Sequence, residues 1–183
     1  MLLYRVFPHV EGVGPDESGH ALYVYPKQGA GRWDNPTKYL TRYLSVSPEA
    51  SVGETFAHLS TWTPRMLTVP ALPGAQRRIA VYRFDETTHP LLDLDDVSAL
   101  YERHLRPTDV VIRNRPKTQK VAADIFDEGR WAGIRWWSYH RPRWPAIALW
   151  ATDNLTVHSV EDIPGHVALD DAATSLAKAR RGI

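Results

Sequence analysis

The stretch from Lys38 to Leu59 constrains this chain most, because it holds a complete strand-to-helix unit with its own punctuation. Lys38 to Val46 alternates with β-formers, which predicts a strand. Ser47 then offers an N-cap oxygen and Pro48 a pre-set φ at the first helical position, so the spacing predicts a helix from Pro48 to about Leu59. On that helix Ala50, Glu54, Ala57 and His58 fall on one side, at i, i+4, i+7 and i+8. Glu54 is thereby expected on or beside the inward face, where a carboxylate is costly unless it is paired or functional. His58, one turn on, is either its hydrogen-bond partner or a satisfied, half-buried histidine.

Around this unit the chain reads as one mixed α+β domain of 183 residues, enough to bury a single substantial core. Leu2 to Phe7 is a predicted strand ended by Pro8, and His9 to Gly19 a loop. Ala21 to Tyr25 is a further candidate strand. Thr61 to Gly74 carries three prolines and reads as an irregular crossing, followed by a strand over Arg77 to Phe84. Val97 to Leu105 predicts a helix with Val97, Leu100, Tyr101 and His104 on one side. The acids Asp93, Asp95 and Asp96 before it read as capping and dipole-matching residues rather than metal ligands. Pro116 to Glu128 predicts a helix with Val121, Ala122, Ile125 and Phe126 inward and Gly129 as its stop. Gly133 to Tyr139, Ala146 to Ala151 and Leu155 to Val160 read as strands, the last two joined by the turn Thr152-Asp153-Asn154. Asp170 to Arg181 predicts a terminal helix with basic residues in its last turn.

Composition narrows the chemistry. No cysteine is present, which removes disulfides, thiolate nucleophiles and cysteine-based zinc sites and fits a cytoplasmic protein. The first ten residues lack a basic n-region and long apolar core, so no signal peptide is expected, and no apolar run approaches a membrane span. A net charge of +1 gives no reason to expect direct nucleic-acid or membrane binding. Seven tryptophans and eight tyrosines are many for this length, and most are assigned to packing. No prosthetic group and no metal site are expected.

Several side chains stand out before any family is considered. The run Gly29-Ala30-Gly31 lacks the third glycine and following helix of a dinucleotide fingerprint. Arg32 sits directly after it, where backbone can approach a ligand closely. Its planar fork suits a pyrophosphate, or it bonds loop carbonyls as a structural arginine. Trp33 beside it is assigned to the core. Tyr43, at the end of a strand, has a ring able to lie against a flat ligand. Arg113, Arg115, Lys117 and Lys120 form either a solvated face or a phosphate-steering rim. Ser138 has no histidine and acid in a triad pattern and lies outside any G-x-S-x-G, so it is not read as a nucleophile.

The order of LLYRVF (Leu2 to Phe7), GRW-x-NP, Tyr43-Leu44-Ser45, the A-x-x-x-E-x-x-x-H helix and GIRWWSY (Gly133 to Tyr139) resembles the RES-domain toxins of bacterial toxin–antitoxin pairs. The likeness runs over about residues 2–163. Arg32, Tyr43 and Glu54 fall at equal intervals of eleven within it. The resemblance implies an ADP-ribosyltransferase-like fold, with small, mostly antiparallel sheets around a cleft and flanking helices. It implies cleavage of nicotinamide from NAD⁺ as substrate, with water or inorganic phosphate as acceptor. Glu54 would stabilise the ribosyl cation, Tyr43 would stack at the nicotinamide end and Arg32 would hold the phosphates. Arg5 and Ser138, the serine of the family name, would complete the site. The implied partner is an Xre-type antitoxin, and a homodimer is left open. Two departures are visible: Asp34 stands between GRW and Asn35, and tryptophan crowds Ser138. The rival readings are a mono-ADP-ribosyltransferase acting on a macromolecule and a non-enzymatic binding module.

Overall fold

A computed structural model describes residues 1–183. In chain order it contains β1 (Leu2–His9), β2 (Arg42–Ser45), α1 (Pro48–Phe56), β3 (Thr61–Trp62) and a 3₁₀ turn (Pro64–Leu67). There follow β4 (Gln76–Arg83), β5 (Leu91–Asp93), α2 (Val97–Glu102), α3 (Pro107–Val111) and α4 (Arg115–Asp127). The chain ends with β6 (Gly133–Trp137), β7 (Pro145–Leu149), β8 (Thr156–Asp162), α5 (Val167–Ser175) and β9 (Ala179–Arg180). The class is α+β, as expected. No helix is long and apolar enough to cross a membrane.

The residues gather into two compact units, each built from separated segments. The first takes Met1, Val24–Leu44 and Asp85–Leu155; the second takes Leu2–Tyr23, Ser45–Phe84 and Thr156–Ile183. In the first unit β6 pairs in parallel with β5 and antiparallel with β7. Its core is aromatic and aliphatic, with Trp33, Leu94, Ala122, Ile125, Ile134 and Trp136 at its centre. The inward face of α4 is the predicted one: Ala122 and Ile125 are buried, Val121 and Phe126 pack beside them, and Gly129 ends the turn at φ 68°. On α2, Asp96 caps the first turn as expected by accepting from the Ser98 N–H at 2.8 Å. The expected inward face fails there. Ala99 and Leu100 are buried, while Val97 and Tyr101 are 78% and 80% exposed. The helix stops at Glu102, and His104 takes a left-handed φ of 53°, so a face projected across nine residues has only six to act on.

In the second unit β4 lies antiparallel to β1 along its full length, from Leu2 opposite Arg83 to His9 opposite Gln76. β8 pairs with the other edge of β4. Pro8 does not end β1. The strand runs on to His9 opposite Gln76 of β4, and β2 pairs antiparallel with it at Tyr4 opposite Ser45. Ala21 to Tyr25 forms no strand. The strands over Pro145–Leu149 and Thr156–Asp162 are not paired with each other as a hairpin: β7 pairs with β6, and β8 with β4.

The α1 helix begins as its sequence dictates, with Ser47 accepting from the Ala50 N–H at 3.4 Å and Pro48 in the first turn. It packs on α5 and β1. The helix α5 ends far short of Arg181. Ala177 adopts a left-handed φ of 51°, the Lys178 N–H bonds Ala173 C=O at 2.8 Å, and the Ala177 N–H bonds Thr174 C=O at 3.2 Å. This is the helix-ending pair of bonds in which glycine usually occupies the left-handed position, so alanine there hid the stop. Beyond it, Lys178 Nζ bonds the Ala57 carbonyl at 2.7 Å, and Ala179–Arg180 pairs in parallel with Thr61–Trp62.

Candidate functional site

The first unit contains Arg32, Tyr43 and Ser138; the second contains Arg5 and Glu54. In the first unit the glycine run is folded around a residue that sequence reasoning treated only as a departure. Asp34 is buried, and its Oδ2 accepts from the backbone N–H groups of Gly29 at 2.9 Å and Gly31 at 2.7 Å. From α4, Gln119 Nε2 donates to the carbonyls of the same two glycines, each at 2.9 Å. The two glycine N–H groups are therefore spent on a carboxylate of the chain itself, which is why this run is no phosphate cradle. A signal for Asp34 existed: aspartate bonds backbone N–H groups a few residues away more readily than most residues do.

Tyr43 closes the arrangement. Its hydroxyl donates to Asp34 Oδ1 at 2.8 Å and accepts from the Trp33 N–H at 2.9 Å. Burial pushes the phenol far above its ordinary range, and the Asp34 charge adds to the effect, so the hydroxyl stays protonated. The ring meets Trp136 edge-on with centroids 6.3 Å apart, and Trp136 in turn meets Trp33 at 5.5 Å. No Cβ fits at Gly31, because it would run into Asp34 Oδ1 and the Tyr43 hydroxyl. Nearby, the Tyr39 phenol is pushed up to about 12, again chiefly by burial, and donates to the Trp33 carbonyl at 2.9 Å.

Arg32 is half-buried, and its Nη1 donates to the Val110 carbonyl at 2.9 Å and to that of Ile112. The structural role offered by the sequence is thus occupied by one end of the guanidinium, which anchors Arg32 against the end of α3. Ser138, just past β6, is 2% exposed. Its Oγ accepts from the N–H groups of His140 at 2.9 Å and Arg141 at 3.2 Å, which shapes the turn that follows.

In the second unit Arg5, half-buried on β1, donates through Nη1 to the Tyr23 carbonyl at 3.3 Å. Glu54 is exposed on α1, not on the packed face, and so is His58. The reason lies in the bulkier neighbours: Val52 and Phe56, one turn apart, turn the buried side of the helix toward themselves and leave Glu54 and His58 together on its flank. Exposed there, Glu54 carries no burial cost to repay. What singles it out is its place in the resemblance.

The match to the RES domain family extends over residues 2–170. The chain belongs to that family. Among solved structures, this RES-domain chain is similar to one in the crystal structure of the Mycobacterium tuberculosis (M.tuberculosis) MbcT-MbcA toxin-antitoxin complex, with 16% identity and a TM-score of 0.59. The alignment covers 94% of this chain and 88% of that one, a likeness of fold over nearly the whole length. No curated protein matches it.

Proposed function

We propose that this RES-domain protein is the toxin of a toxin–antitoxin pair and that it depletes NAD⁺ by releasing nicotinamide. The observation that carries the reading is the family match over residues 2–170, supported by the likeness in fold to a chain of a toxin–antitoxin complex. In the proposed reaction the bond from ribose C1′ to the pyridinium nitrogen breaks, and its electron pair neutralises the departing nicotinamide. The leaving group is already cationic, so the step needs charge stabilisation at the ribose rather than a strong acid. Glu54 supplies that negative charge, as carboxylates do in glycoside cleavage. Water or inorganic phosphate then attacks C1′. Water gives up one proton and leaves ADP-ribose; phosphate leaves the ADP-ribose phosphate ester at that same carbon.

Within this reading Tyr43 acts through its ring. Its hydroxyl is engaged by Asp34 and by the Trp33 N–H, which fixes the ring plane and removes the phenol as a proton carrier. Arg32 holds the pyrophosphate through its guanidinium, one nitrogen of which is braced by the Val110 and Ile112 carbonyls. Arg5 and Ser138 complete the substrate contacts. An Xre-type protein antitoxin neutralises the activity. The test is NAD⁺ loss and nicotinamide release by the purified protein, with and without phosphate, beside Glu54→Gln. Turnover by the wild type and its collapse in the variant support the reading; equal turnover in both overturns the role of Glu54. Label transferred from NAD⁺ to protein or nucleic acid would replace it with macromolecular ADP-ribosylation.

A further inference from the structure

In the first unit two basic segments meet through an exposed aromatic ring. The Arg113 guanidinium carbon lies 5.4 Å from the centroid of the Tyr139 ring, and Tyr139 is 58% exposed. Each member of this pair is a chain neighbour of a group already tied to the candidate site. Arg113 follows Ile112, whose carbonyl accepts from Arg32, and Tyr139 follows Ser138, whose Oγ shapes the turn beneath it. The turn then presents Arg141 and Arg143, both exposed.

The charges here are not balanced as they are elsewhere in the same run. Lys117 is paired with Asp109 at 2.7 Å and Lys120 with Asp124 at 2.9 Å. Arg113, Arg141 and Arg143 enter no such pair, and Arg115 holds a buried Nη1 without a hydrogen bond. A flat aromatic ring already layered with a guanidinium, beside arginines lacking carboxylates, is the chemistry that takes a purine on its face and phosphate oxygens at its edge.

We infer that Tyr139 and Arg113, with Arg115 and Arg141 beside them, bind the adenosine-phosphate half of the dinucleotide. The inference deepens the proposed NAD⁺ reaction. Arg32 then marks the pyrophosphate, and the anchor from Arg32 to Ile112 couples the two halves of the substrate through the backbone that carries Arg113. Tyr139 and Arg113 are substrate-binding residues: they supply binding energy remote from the breaking bond.

The test compares NAD⁺ with nicotinamide mononucleotide, which lacks the adenylate half, in wild type, Tyr139→Ala and Arg113→Ala, with AMP binding measured separately by calorimetry. The side chains are exposed, and circular dichroism checks that each variant folds. The expected result is that preference for NAD⁺ over the mononucleotide falls about tenfold in Tyr139→Ala, the size of losing one stacked base, with the loss on KM rather than kcat. AMP binding weakens in parallel. Turnover of NAD⁺ with an unaltered KM in both variants overturns the inference while leaving the reaction standing. AMP binding that depends on Tyr139 in a protein with no NAD⁺ turnover does the reverse. Tighter, Tyr139-dependent binding of an RNA oligonucleotide than of AMP also overturns it, in favour of a polynucleotide surface.

Discussion

The Tyr43 hydroxyl donates to Asp34 Oδ1 at 2.8 Å while the other oxygen of that carboxylate holds the N–H groups of Gly29 and Gly31. One buried acid thus fixes both the loop that carries Arg32 and the ring of Tyr43. Asp34→Ala strands two backbone donors and a hydroxyl, each an unsatisfied polar group costing about 1–3 kcal/mol where water cannot reach it. A loss of about 2–4 kcal/mol is expected by urea denaturation. Tyr43→Phe removes one partner from Asp34 and one from Trp33 and should cost about 1–2 kcal/mol. A loss for Asp34→Ala no larger than for Tyr43→Phe would show that the glycine N–H groups do not depend on it.

Glycine at position 31 is required by space alone. Its alanine Cβ would overlap Asp34 Oδ1 and the Tyr43 hydroxyl together, so the loop must shift. Gly31→Ala is expected to cost roughly 1–3 kcal/mol, the range of overpacked sites. The double variant Gly31→Ala, Tyr43→Phe should lose less than the sum of the two single losses, since removing the hydroxyl opens one of the two clashes.

The buried phenols set an alkaline limit. Both folded-state values lie above the ordinary value of 10.0: Tyr39 at about 12 and Tyr43 higher still. A raised folded value on an acid that is neutral when protonated contributes stability in full below the unfolded value and loses it as pH climbs past 10. Ultraviolet titration should therefore show two tyrosines that keep their protons past pH 10 and release them as the protein unfolds. Tyr39→Phe and Tyr43→Phe each remove one of them.

Much of this was legible in the sequence, and the failures have physical causes. Ser47-Pro48, Asp96 and Gly129 mark their helix ends correctly because capping is local chemistry. The far ends of α2 and α5 were overrun, because His104 and Ala177 occupy left-handed positions where no glycine advertises the stop. Motif and order single out Arg32, Tyr43 and Ser138. The work each does in the fold depends on partners distant in sequence or specific to a turn: Arg32 on Val110, Ser138 on the N–H groups after it. Glu54 falls on α1 as expected, beside the packed face and exposed rather than within it. A nine-residue helix of small side chains lets two bulky residues, Val52 and Phe56, decide which way it faces.

Acid should weaken the clamp at the end of α4. Glu128 takes a bidentate bond from Arg103, at 2.9 and 2.8 Å, and a further bond from the Trp131 indole at 2.6 Å. Burial raises its carboxyl, but these bonds with that from Arg130 outweigh it and hold the group below its ordinary 4.5. The depressed value means stability present above pH 4.5 and lost as pH falls through the folded value. The clamp is partly exposed, so its contribution is no more than about 1 kcal/mol. Glu128→Gln should flatten the pH dependence of stability on the acid side of 4.5 by that amount.

The left-handed alanine yields the one substitution here expected to stabilise. Ala177 holds φ 51° so that the N–H groups of Ala177 and Lys178 can turn back to Thr174 and Ala173. A side chain in that conformation costs about 1–2 kcal/mol, and glycine avoids it. Part of the gain is returned, because glycine frees the unfolded chain. Ala177→Gly should therefore raise stability by about 0.5–1 kcal/mol, with the bond from Lys178 Nζ to the Ala57 carbonyl retained. Removing that bond with Lys178→Met in the same background should lower protection from hydrogen exchange in the last turn of α1, where its carbonyl is capped. If Ala177→Gly destabilises instead, the Ala177 methyl contributes more by packing than its backbone loses by strain.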